Sequence, residues 1–462
     1  MKKISIIVLL FLLYGIASVV PLQATSYNYT PFLDVIYSAQ AMSVSRIVDS
    51  SNLQDTFQQR VSFTLGDLVD IAVYDNQIYL VDQSNHAVHV LNQDYQWVTS
   101  IQATTGESKL TQPRAVYVTA DWIYIADWGN QRIAIFDHDF QYQKSITAPN
   151  DPTFKQSPQD PQGYDFRPLK LTVDRTGRVY VIADQIFEGI LDFNPDGTFS
   201  RYLGANTITL SLWDAFWLRL TSEEQRAAQG YRLATTFINL KVDQQGYLYT
   251  VSSISEGERV IKKLNYKGID VLNRNGYIPQ LGDPIGSLSN PQVPSGQSQL
   301  VDIDVNEFGN YIVLDRVRGR LFTYDFDGNL LYVAGQLANV GGNQHNLSNA
   351  FLNPTALSYF QDKVLVIDQM NKNLVEFSYT EFGRLVNQAT EQYFLGNYEA
   401  AKDLWDQVLI LNTNYFLAYA GISKAQLRNG EFELAMQNAK LGYDDITYSR
   451  SYQPYRYQQL VI

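Results

Sequence analysis

"IYIADWGNQRIAIFD", residues 123–137, holds two apolar runs joined by a tight polar turn, and forty-five residues earlier "IYLVDQSNHAVHVLN", residues 78–92, repeats the design. β-Branched and aromatic residues fill the runs and Asn, Asp, Ser and Gly fill the turns, so each copy reads as strand, turn, strand. The first run recurs six times, ending at "IYLVD" (Asp82), "IYIAD" (Asp127), "VYVIAD" (Asp184), "LYTVS" (Ser252), "YIVLD" (Asp315) and "VLVID" (Asp368). An apolar strand and a short turn precede each copy. A third strand follows, then a turn such as "NPDG" or "DFDG", then a fourth. A unit of four antiparallel strands that recurs at this spacing cannot bury both its faces alone, and the expected architecture is an all-β six-bladed β-propeller over residues 60–381. The repeated Asp residues, one per blade at one position, are expected to tie backbone amides of their turns rather than converge on a substrate. Ring closure calls for an outer strand from the lead segment 25–59, and "SRIVDSS" at 45–51 is the candidate.

At "YIADWGNQRIAIFD" the pattern resembles the NHL repeat, with Asn130, Arg132 and Ile133 matching its turn and Asn85 keeping only the Asn. Loop lengths add a direction. Turns within a blade are a few residues long, whereas blade-to-blade connections at 148–165, 204–236, 278–299 and 335–352 are long and emerge on one face. Long connections on a rigid scaffold concentrate where binding occurs. One of them, "LSLWDAFWLRLTSEEQRAAQGY", reads as a helical insert at about 210–230 that sets Trp213 and Trp217 on one apolar face.

From residue 382 the period changes from strand to helix. Gly396 and Gly430, Tyr398 and Phe432, and Ala401 and Ala435 are each 34 residues apart, which resembles two tetratricopeptide repeats. Residues 382–462 are thus expected to form a small all-α, tetratricopeptide-like domain with a tail. Residues 1–24 carry Lys2, Lys3, an apolar run and Ala24, the form of a signal peptide, with an uncleaved N-terminal anchor as the alternative. The chain has no cysteine and a formal net charge of −12, which excludes disulfides, thiolate chemistry and lipid attachment through cysteine, and argues against nucleic-acid partners.

Chemistry is sparse. The four histidines, His86, His89, His138 and His345, do not recur at equivalent blade positions, so a zinc site is not expected. A lactonase-like calcium site would draw on Glu188, Glu256, Asn85 and Asn130. No phosphate loop, nucleophile elbow or zinc-protease helix is present. No catalytic residue, metal or cofactor is therefore assigned.

The whole arrangement resembles a bacterial exported family that joins such a propeller, with a Trp-rich insert ending in "TSEEQR", to tetratricopeptide-like helices, often beside a Yip-type membrane domain and in a setting of carbohydrate uptake. The resemblance implies an extracytoplasmic scaffold whose partner is a membrane or solute-binding protein, with a glycan as a second ligand class. A calcium-dependent lactonase-like hydrolase is the alternative. Trp128, Arg132, Trp213, Trp217, Arg316 and Arg320 are the candidate binding residues, as aromatic or Arg groups near the long-loop face.

Overall fold

The computed structural model describes residues 26–103, 105–151, 154, 165–204, 236–253, 259–283, 298–337 and 350–460. It is a six-bladed β-propeller followed by five helices. The blades span residues 68–101, 113–146, 168–203, 237–264, 300–334 and 354–379, and each is an antiparallel sheet in which consecutive strands pair. The second strand is buried throughout except at its first residue in blades 1 and 6, where Gln77 and Lys363 are half-buried; it is the middle of a sheet covered on both faces.

The ring closes through the lead segment. Met42–Val48 pairs antiparallel with Asn373–Tyr379 and becomes the outer strand of blade 6. The strand lies a few residues earlier than "SRIVDSS", because Asp49 folds back, accepting from the Ser51 N–H at 2.7 Å, and ends the ladder at Val48.

Blade 4 departs from the four-strand expectation. Among the described residues it has three strands, and the segment after Leu264 pairs back only at the single bridge Leu264–Asp270. The Asp270 carboxylate accepts from the backbone N–H of Lys263 and of Leu272, at 3.2 and 3.1 Å, and so occupies amides that a fourth strand would have used.

Helices α1 (Glu381–Phe394), α2 (Tyr398–Leu411), α3 (Phe416–Arg428), α4 (Phe432–Leu441) and α5 (Asp445–Leu460) follow directly. Thr380 caps α1, accepting from Gly383 N–H, while its own hydroxyl donates to the carbonyl of Gln40, just before the closing strand. Gly383 is required there: a Cβ would stand 2.1 Å from the Ala41 carbonyl oxygen. Gly396 and Gly430 take positive φ, 81° and 77°, where α1 and α3 end. The helices do not dangle. Phe382, Val386, Trp405 and Tyr415 share one buried cluster with Leu331, Phe351 and Phe377 of blades 5 and 6. They therefore cover the end of those blades that carries the short turns. A hairpin of the lead segment, Tyr27–Tyr29 with Val35–Tyr37, clamps the outer strand of blade 5, with both tyrosine hydroxyls donating to Asp283 at 2.6 Å.

Candidate functional site

Every inner strand carries an irregularity at the same place. Pairing with the second strand shifts register after Leu68, Pro113, Pro168, Phe237, Leu300 and Pro354. Such bulges re-aim the residues that follow. The inner strands pack side by side into a closed ring, so six equivalent positions, Asp70, Ala115, Lys170, Asn239, Asp302 and Ala356, form one rung of the central channel, and the positions two residues on include Lys241 and Asp304.

These channel groups satisfy one another. Lys170 Nζ pairs with Asp70, whose other oxygen accepts from the Val116 N–H of the next blade at 3.0 Å. Asn239 Nδ2 donates to Asp302 at 2.6 Å, and the Leu357 N–H of blade 6 donates to the same carboxylate at 2.7 Å. Lys241 lies 3.3 Å from Asp304, which also accepts from Tyr359 N–H. Burial pushes Asp302 up to about 7, with Lys170 pulling the other way. Burial likewise opposes charge on Lys170, but Asp70 and Asp302 outweigh it, and its pKa stands above the ordinary lysine value. The remaining space is about 30 Å³, room for about one water molecule.

A calcium ion needs roughly six to eight oxygens. The channel carboxylates are engaged by two ammonium groups, an amide side chain and backbone amides, and the cationic heads occupy the ground a metal would need. The donors expected from the sequence are not assembled either. Asn85 bonds Asp82 and the Thr64 carbonyl, Asn130 bonds Asp127 and the Lys109 carbonyl, Glu188 is exposed, and Glu256 lies outside the described residues. Among the described residues no group of three or more His, Cys, Asp or Glu is placed to hold a metal. His89 is buried between Asp82 and Ser100, His86 accepts from Gln112 N–H, and His345 lies outside the described residues.

Four of the five Asp residues that follow the second strands, Asp82, Asp127, Asp315 and Asp368, serve the backbone, while blade 3 is tied there by the Asp184 N–H donating to the Arg167 carbonyl at 2.8 Å. Asp127 accepts from Thr111 N–H at 2.7 Å, Asn130 at 2.8 Å and Arg132 Nε at 2.8 Å. Asp82 takes Gly66 N–H and Asn85, Asp315 takes Gln299 and Val317 N–H, and Asp368 takes Leu352 and Asn353 N–H. Burial pushes Asp82 up, but the hydrogen bonds from His89, Gly66 and Asn85 outweigh it and leave its pKa lowered. Each carboxylate thus staples a turn to the beginning of its blade's inner strand, at the end of the propeller from which the blade-to-blade connections leave.

At that end, between blades 2 and 3, the pattern changes. Trp128 opens a single turn of 3₁₀ helix (Trp128–Asn130) after Asp127, and its indole is bracketed by Arg167, 4.6 Å from the ring centroid, and Arg114, 5.5 Å away. Trp128 Nε1 and Arg114 Nε are both buried donors with no acceptor among the described residues. Burial lowers the Arg114 pKa, and Asp184 opposes the shift. Two guanidinium groups around an aromatic face, with two unmatched N–H donors, are chemistry that acceptor oxygens would match.

The other candidates separate by place. Arg132 is engaged by Asp127 and by the carbonyls of Glu107 and Lys109, and it holds its turn closed. Arg320 donates to the Gly335 carbonyl at 2.6 Å and stacks over Tyr27, locking the lead hairpin. Arg316 is exposed, with a 3.4 Å bond to Gln299. Arg316 and Arg320 stand in blade 5, across the ring from Trp128 in blade 2, and the structure does not bring them together with it. Trp213 and Trp217 lie outside the described residues. Arg114 and Arg167 escaped sequence reasoning, although each adjoins the proline that begins an inner strand, in "PRAVYV" and "RPLKLTV". The channel residues also escaped it; their signal was a charge inside an apolar strand, as in "LVDIAVY" and "LVDIDV".

No protein-family profile matches the sequence, and no curated protein matches it. Among solved structures, virginiamycin B lyase from Staphylococcus aureus aligns over 73% of this chain and 99% of its own at 10% identity, with a TM-score of 0.41. An auxiliary nutrient binding protein from Bacteroides ovatus aligns over 74% of this chain and 78% of its own at 14% identity and TM-score 0.45. A Bacteroides thetaiotaomicron protein of unknown function covers 74% and 76% at 16% identity and TM-score 0.44. Likeness at this level decides nothing about what this chain binds.

Proposed function

We propose that the chain is a non-catalytic extracytoplasmic interaction scaffold. Its long-loop face takes a protein or glycan ligand at Trp128, Arg114 and Arg167, and the outward faces of its helices take a protein partner. The observation that carries this reading is the contrast in hydrogen bonding: the channel groups are matched to one another, whereas Trp128 Nε1 and Arg114 Nε are buried donors with no acceptor among the described residues. Ile410 and Leu460 on the helices are 81% and 71% exposed, which suits a partner surface. The leader-like residues 1–24, the NHL-type turns and the 34-residue helical spacing support export, an NHL-type propeller and tetratricopeptide-like repeats. A membrane or solute-binding protein of a carbohydrate-uptake system is the expected partner. Among the described residues no helix is long and apolar enough to cross a membrane.

The test is cross-linking mass spectrometry on envelope fractions with wild type, Trp128→Phe and Arg114→Gln. A defined partner whose cross-links map to blades 2 and 3 and fade in both variants supports the proposal. Cross-links that ignore both substitutions contradict it.

A further inference from the structure

A groove of about 630 Å³ lies where the helices meet the turn of blade 5. It lies at the opposite end from the long-loop face, and its reading stands apart from the one above. Its size suits a small ligand.

The groove carries both signs of charge. Lys424 and Arg428 come from α3 and Arg450 from α5; facing them are Asp325 and Asp327 from the blade 5 turn and Asp444 and Asp445 from the start of α5. Burial raises Asp325 to about 6, so near neutral pH it remains mostly ionised, and three cations face four carboxylates with only a small negative excess. A ligand of one strong sign would meet repulsion as well as attraction. The opposed charges also fail to close on one another. Burial works against the charge on Lys424, and Tyr393, Asp444, Asp327 and Asp325 keep its pKa raised, yet among the described residues no carboxylate comes within ion-pair distance of it. Asp444 and Asp325 serve local turns, capping Thr447 and holding Asn329, while among the described residues no hydrogen bond or ion pair engages the Asp327 carboxylate or the Arg450 guanidinium.

The aromatic faces are already covered. Tyr393 is stacked on Phe326 at 5.7 Å with Lys424 Nζ 5.0 Å from its centroid, and Arg428 sits 3.9 Å over Tyr398. A flat aromatic ligand would find these faces occupied. Leu331, Trp405 and Leu417 at the floor are 1%, 4% and 8% exposed, so they offer no open apolar pocket for the anchoring side chains of a peptide; Ile446 stands at the rim. What fits between a carboxylate and an ammonium held apart is a group that donates to one and accepts from the other, and a hydroxyl does both. Several hydroxyls on one rigid ring would replace several bridging waters at a low ordering cost.

We propose that this groove binds a neutral, hydroxyl-rich ligand, a short oligosaccharide, held between Lys424 and Arg450 on one side and Asp327 on the other. The test uses the full chain, without its leader, on an array of neutral oligosaccharides, acidic oligosaccharides and peptides. Asp327→Asn, Arg450→Gln and Lys424→Met are read beside Lys402→Ala of α2, which does not line the groove, with a thermal melt for each. A neutral oligosaccharide is expected to bind, and to bind about tenfold or more weakly in Asp327→Asn and Arg450→Gln, whose groups are accessible enough for the fold to survive, with Lys402→Ala unchanged. Binding only to peptides or acidic glycans, no binding to any arrayed neutral glycan, or a neutral hit that folded Asp327→Asn retains in full would overturn the proposal. Loss of partner cross-links in Trp128→Phe reads the other site, so the two readings fail separately.

Discussion

The channel and its long-loop mouth are built from the same inner strands, yet they treat polar groups in opposite ways. Inside, Asp70, Lys170, Asn239, Lys241, Asp302 and Asp304 are bonded across blades, and Asp70, Asp302 and Asp304 each accept from a backbone N–H of the neighbouring blade. At the mouth, the Trp128 indole next to Asp127 and the Arg114 guanidinium keep buried donors without acceptors among the described residues. Buried polar groups matched to one another fix a geometry, whereas unmatched ones cost stability and remain where a ligand supplies the match. The comparison therefore separates charge that holds the ring from charge available for recognition.

The largest expected effect lies in the channel. Lys170→Met leaves Asp70 and Asp302 buried without their cation and should cost about 3–5 kcal/mol, read as a fall in the urea midpoint. A variant as stable as wild type would mean that the network does not hold the ring. Next comes pH. The folded chain raises Asp302 from 3.8 to about 7, so the folded state binds the extra proton between those values, and stability falls as pH rises through that window. Asp302→Asn should flatten the wild-type decline between about pH 4 and pH 7, measured by urea unfolding at several pH values. An unchanged slope would place Asp302 at an ordinary carboxylate pKa.

A smaller effect belongs to the turn staples: Asp127→Ala orphans Thr111 N–H and frees Arg132, for a loss of about 1–3 kcal/mol. Trp128→Phe sharpens the contrast most finely. It removes a donor with no partner, so the unliganded chain should lose less than about 1 kcal/mol while partner binding weakens. A large loss of stability would show that the indole is structural. Arg316→Ala, exposed and loosely held, should stay within about 0.5 kcal/mol of wild type.

How far the sequence could be read follows the same division. The strand ending in Asp is a covalently local pattern, so "IYIAD" and its relatives are enough to count six blades, and the change of period at residue 382 marks the helices. The channel depends on a bulge after the first residue of each inner strand. No single residue type marks the bulge, which follows Pro113, Pro168 and Pro354 but also Leu68, Phe237 and Leu300. The same limit applies to Arg114 and Arg167, which lie far apart in the chain and meet only on the face of Trp128. Arg132 and Arg320 show the converse: Arg residues near a loop face drew a binding role, and the structure engages them with Asp127 and with Tyr27 and Gly335. In blade 4, Asp270 sits where strand alternation predicts a fourth strand, and its side chain takes the amides instead.

The most direct test of the central claim is native mass spectrometry with elemental analysis on the full chain, purified without chelator. A channel closed by its own ion pairs predicts a chain with no stoichiometric calcium. One tightly held calcium per chain, lost in Asp302→Asn, would contradict the account and return the channel to the hydrolase reading.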